Sequence, residues 1–139
     1  MAALIDGLLD GTVGAIATDH APHAEARKAT TLDEAPFGAI GLETSFAVSF
    51  TALVASGRLS LERLVALHVD GPAAIVGLEA PRIAAGSRAE LNLIDPEAAW
   101  RVDPGDLRSR SRNCPFKGRR LRGRIVGLVA GRCLRRFGA

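Results

Sequence analysis

Val13-Gly14-Ala15-Ile16-Ala17-Thr18-Asp19-His20-Ala21-Pro22-His23 joins an apolar run to one carboxylate and two imidazoles. Val13 to Thr18 has the length and composition of a strand buried on both faces, as in parallel sheets. Asp19, His20 and His23 follow where such a strand opens into a loop, and in parallel α/β barrels catalytic groups sit at that mouth. A lone strand of this type is a physical problem, because it needs partners on both edges and cover on both faces. The later extended runs differ in character, so the sequence reads as the end of something larger.

Working outward, Met1 to Leu9 reads as the end of a helix or a turn, with a break at Asp10-Gly11. Ala24 to Phe37 is polar, aperiodic and contains Pro36, which predicts a long loop of the kind that usually has a function. Gly41 opens a helix to about Ser56, with Leu42, Phe46, Phe50, Leu53 and Val54 on one apolar face and Gly57 as its stop. Ser60 caps a second helix through His68. Asp70 caps a short third one, with Pro72 near its first turn and Gly77 at its end.

From Arg82 onward Pro and Gly punctuate short extended runs. Glu90 to Ile94 and Trp100 to Val102 read as strands, and Ile125 to Val129 with Cys133 to Arg135 as a hairpin around Ala130-Gly131-Arg132. The chain therefore divides into a strand-and-helix part, residues 1–80, and a β-rich tail, residues 81–139.

At 139 residues and 47% hydrophobic content the chain can build one domain with a real core. No apolar stretch approaches the roughly 20 residues that cross a bilayer. Met1 to Asp10 has no Lys or Arg and so lacks a signal-peptide start, and a cytoplasmic location is expected. The net charge of +3 conceals an arginine-crowded last third. That tail has no aromatic interleaving for base stacking, so nucleic acid is not the expected partner. Cys114 and Cys133 fit neither a zinc ribbon nor a disulfide framework and read as free thiols.

Asp19 can bind a metal or act as a general base. It can equally cap the following turn, with His23 on the surface. Spacing alone leaves both readings open. One carboxylate and two imidazoles are too few for a closed structural zinc site. His68 sits in a helix, where packing or surface exposure is the expected role.

Two ordered blocks and a tail carry a resemblance. Ile16 to His23, then Ala35-Pro36-Phe37-Gly38-Ala39-Ile40-Gly41-Leu42-Glu43-Thr44, then Ser111-Arg112-Asn113-Cys114-Pro115-Phe116-Lys117-Gly118 with Leu121, Gly123 and Gly131, resemble the C-terminal third of class I dihydroorotases. These belong to the amidohydrolase superfamily, and Thr often stands where this chain has Cys114. The resemblance implies an α/β fold, the closing part of a (β/α)8 barrel metal-dependent hydrolase with a small β-sandwich tail. It implies reversible cyclisation of N-carbamoyl-L-aspartate to dihydroorotate, in pyrimidine biosynthesis, at a Zn2+ centre. By motif, Asp19 resembles the metal ligand and proton shuttle, and His23 the imidazole on the substrate carboxylate. Phe37 and Gly38 resemble the pair whose backbone amides hold the substrate, and His20 is left a structural or supporting role.

The family's His-x-His pair, carboxylated lysine and two further histidines have no counterpart here, and Lys28 and Lys117 do not take the bridging role. No turnover is therefore expected of the chain alone. Partners implied are the small-molecule substrate, and either the remaining N-terminal part or aspartate transcarbamoylase. The alternatives are a non-catalytic dihydroorotase-like subunit assembling with that transcarbamoylase, and an allantoinase- or dihydropyrimidinase-type hydrolase.

Overall fold

The computed structural model describes residues 2–137. Helix α1 (Ala2–Asp10) ends where the Asp10 carboxylate accepts the Thr12 amide at 2.8 Å. That hydrogen bond to the backbone of Thr12 holds the Asp10 pKa below the ordinary carboxylate value. Ile5 and Leu8 of α1 pack onto the helical core.

The run from Val13 to Thr18, expected as a strand, carries no regular secondary structure. Ile16 N donates to Leu67 O at 2.9 Å, and an isolated parallel bridge joins His20 to Ala39. A strand exists only through the ladder of a neighbour, and no described strand lies beside this run. The loop over residues 24–37 holds one short helix, α2 (Glu25–Lys28).

The helix expected from Gly41 starts later. Its first turn is irregular, α3 spans Ser45–Ser49, and the chain then widens into a π-helical turn over Phe50–Val54. The reason lies in the first turn: the Gly41 and Leu42 amides are both taken by the His20 ring. Leu42, placed by periodicity on the buried face, is 66% exposed. Gly57 does end the element, at φ +73°. Helix α4 (Leu61–His68) is capped by Ser60, whose Oγ accepts Arg63 N at 3.1 Å. Asp70 is not a cap; it is the first residue of α5 (Asp70–Ile75), which has no side-chain cap.

Strand β1 (Glu90–Arg101) merges the two short strands expected at either end of it. Pro96, Glu97 and Ala98 bulge out between the pairs Asp95–Arg124 and Ala99–Arg122, and Asp95 Oδ1 closes the bulge on the amides of Glu97 and Ala98. Strands β2 (Arg120–Ala130) and β3 (Cys133–Arg136) form the expected hairpin, turning at Gly131 with φ +59°. The three strands make one antiparallel sheet in the order β1-β2-β3.

Two apolar cores result. Ile40, Ala47, Val102, Leu107, Cys114 and Leu121 join the first helical segment to the sheet. Phe50, Leu53, Leu59, Leu64 and Leu67 bind the helices to one another. Helix α3 and its π-helical turn serve both, because Ala47 faces the sheet core while Phe50 enters the helical one. Gly123 of β2, at φ +76°, lies under Phe50: a Cβ there would stand 2.8 Å from the ring.

Candidate functional site

Asp19 is the one described non-glycine residue with positive φ, at +44°. Exposed to solvent, it ends the 13–18 run in a left-handed turn, a conformation that Asp tolerates better than most residues. His20 is half-buried. Its Nδ1 accepts the Gly41 and Leu42 amides at 3.2 Å each, which puts the ring proton on Nε2. The imidazole thus stands in for a cap at the start of the next helical turn, a structural role.

His23 reaches the other block through its ring: Nε2 donates to Phe37 O at 2.8 Å. Phe37 itself is 94% exposed, and Gly38 sits at φ +99° with no room for a Cβ, which would stand 2.5 Å from the Ala21 Cβ. Among the described residues neither the Phe37 nor the Gly38 amide has a hydrogen-bond partner. The sequence blocks around Asp19 and Gly38 are therefore adjacent, joined by Ala21 N to Ala39 O at 2.9 Å.

The tail motif closes over the same place. Ser111 Oγ donates to His23 O at 2.7 Å, and Asn113 Nδ2 donates to Ala21 O at 3.3 Å and Gly38 O at 3.2 Å. Ser111 Oγ also lies against Asn113 Oδ1, and the Ala21 and Gly38 carbonyls, which can only accept, set the amide with its nitrogen toward them. Two residues that sequence reasoning missed complete the frame. Lys28 Nζ donates to Pro36 O at 2.7 Å and Gly38 O at 3.1 Å. Glu43 accepts the Arg108 and Ser109 amides at 2.8 and 2.9 Å. Neither belongs to a spacing pattern, since both act on main-chain atoms of distant loops. A depression lined by His20, His23, Glu25, Ser109, Arg110 and Ser111 opens beside them.

His68 is settled as structural: Nδ1 donates to Leu64 O at 3.0 Å and Nε2 meets Ser45 Oγ at 3.3 Å. As a metal centre the site is deficient in donors. Among the described residues no three His, Cys, Asp or Glu side chains converge. His20 Nδ1 accepts two backbone amides and His23 Nε2 donates to Phe37 O, which leaves the Asp19 carboxylate and His23 Nδ1 as free donors among these three side chains. These residues do not by themselves fit a zinc ion, which takes three protein ligands even at a catalytic site.

No family model matches the chain. The dihydroorotase of Chlorobaculum tepidum is 49% identical over 126 residues, which cover 91% of this chain and 29% of that protein. That of Bacillus thuringiensis is 44% identical over 130 residues, covering 94% of this chain and 30% of that protein. Over nearly its whole length the chain is similar to dihydroorotases. It spans about three tenths of the length of these relatives. The L-hydantoinase (dihydropyrimidinase) of Arthrobacter aurescens shares its fold with a TM-score of 0.86 and 32% identity, over 94% of this chain and 30% of that one. A D-hydantoinase from Thermus superposes with a TM-score of 0.87 at 24% identity, over 99% of this chain and 32% of that one, and attests the fold alone. The chain shows one three-stranded sheet where a β-sandwich tail was expected; a second facing sheet is not formed by the described residues.

Proposed function

We propose that this chain carries the proton-transfer carboxylate and the substrate loop of a dihydroorotase-type hydrolase, which opens and closes the cyclic amide of dihydroorotate. The observation that carries this reading is the meeting of the Asp19–His23 and Pro36–Gly38 segments in one exposed mouth. Greater identity to dihydroorotases than to the hydantoinases favours dihydroorotate over other cyclic amides.

In this reading Asp19 takes a proton from the attacking water and returns it to the leaving amide nitrogen. The free Phe37 and Gly38 amides hold the anionic substrate, and His23 stands by its carboxylate. Zn2+ would supply the activated water of that chemistry; Asp19 would be its ligand from this chain, and because the described residues bring no three donors together it would need ligands from elsewhere. The location in this reading is cytoplasmic; no described helix is long and apolar enough to cross a membrane.

The test is complementation. The chain, alone and mixed with the separately expressed remainder of the Chlorobaculum tepidum enzyme, is assayed for dihydroorotate formation. No turnover alone, turnover on mixing, and a loss of about 10²-fold or more with Asp19→Asn are expected. Turnover by the chain alone, or full activity of the mixed Asp19→Asn variant, overturns the proposal.

A further inference from the structure

Three successive carbonyls of the substrate loop are held by side chains. Pro36 O accepts from Lys28 Nζ at 2.7 Å, Phe37 O from His23 Nε2 at 2.8 Å, and Gly38 O from both Lys28 Nζ at 3.1 Å and Asn113 Nδ2 at 3.2 Å. In a trans peptide the C=O and the following N–H point in opposite directions. Pinning Pro36 O therefore turns the Phe37 N–H away from Lys28, and pinning Phe37 O turns the Gly38 N–H away from His23. Both N–H groups are left without a partner among the described residues, which is how an anion-binding pair must be presented.

The donors come from three separate parts of the chain: α2, the loop after Asp19, and the tail motif. Lys28 is the strongest of them, because a charged donor to a carbonyl outweighs a neutral one. Its half-buried ammonium spans two carbonyls two residues apart, which staples the loop in one conformation. Gly38 completes the device: its carbonyl meets Lys28 and Asn113 at φ +99°, where a Cβ would collide with that of Ala21.

We propose that Lys28, with Asn113, is a positioning residue that aims the Phe37 and Gly38 amides at an anionic substrate by gripping the carbonyls behind them. The proposal rests on the dihydroorotase-type reading of the same loop. A residue that merely stabilised the fold would lower the melting temperature without singling out these two amides.

The test uses the full chain labelled with ¹⁵N, titrated with N-carbamoyl-L-aspartate, in the parent, Lys28→Arg and Lys28→Met forms. In the parent the Phe37 and Gly38 amides are ordered, with order parameters near ~0.85, and shift with ligand. In Lys28→Met they fall below ~0.6. Affinity in that variant weakens about tenfold while the melting temperature holds. Lys28→Arg restores both. Unchanged order at Phe37 and Gly38 in Lys28→Met overturns the grip, and loosened amides with undiminished affinity overturn the positioning role. A parent chain whose two amides ignore the ligand overturns the functional reading, and with it the positioning role, while the order parameters still decide the grip.

Discussion

Asp19 and Gly71 show how single positions set this molecule. Asp19 holds a left-handed backbone where the 13–18 run opens into the loop. Gly71 is dictated by closeness: a Cβ would stand 1.9 Å from Gly14 O. Gly71→Ala must push α5 off the 13–18 run. We expect a loss of about 1–3 kcal/mol in urea unfolding, and an unchanged midpoint would show that the two segments are not packed as described. The Asp19–His23 cluster was legible in the sequence because its residue types are concentrated. Lys28 and Glu43 were not, since each serves carbonyls or amides that only the folded loops bring near.

At the scale of elements, most local signals hold in the structure, although Asp70, expected as a cap, is the first residue of α5. Ser60 caps α4, Gly57 and Gly77 end helices at positive φ, and the hairpin turns at Gly131. Signals that depend on a neighbour failed: the 13–18 run has no ladder, and the first turn after Gly41 is bent to the His20 ring. The pairing of β1 through its bulge was equally hidden, because Pro96 reads as a break until Asp95 is seen to cap it. Ser60→Ala should cost about 1 kcal/mol of stability, read by chemical unfolding. Glu62 in the same turn accepts its own amide and the Ser60 hydroxyl, which lower its pKa. A carboxylate with a lowered folded pKa stabilises above its ordinary value, and that contribution fades as pH falls through the lowered one. Glu62→Gln should therefore lose stability at neutral pH but converge with the parent in acid. Parallel stability curves at all pH values would refute the assignment.

Across the whole molecule, the 13–18 run and the sheet flank an apolar groove of about 800 Å³, walled by Ile16, Phe46, Val69, Ile83, Leu91 and Ile94. Ile83 at its lip is 88% exposed, and Ile75, Val76 and Leu78 nearby are also open to solvent. Apolar surface of this kind drives association. Sedimentation velocity should show the chain self-associating at micromolar concentration, and a single monomeric species throughout would contradict this. The arginine-rich tail is in part spoken for: Arg112 donates to the carbonyls of Pro104, Leu107 and Ser109, and Arg124 lies over Trp100.

The hydrogen bonds from Ser111 and Asn113 span 88 and 92 residues of sequence. During synthesis the chain emerges from its N-terminus, so the segment bearing Asp19 leaves the ribosome long before the side chains that fasten it. Until residue 113 is out, the mouth lacks these two fastenings, and its final shape waits on a segment made long after it.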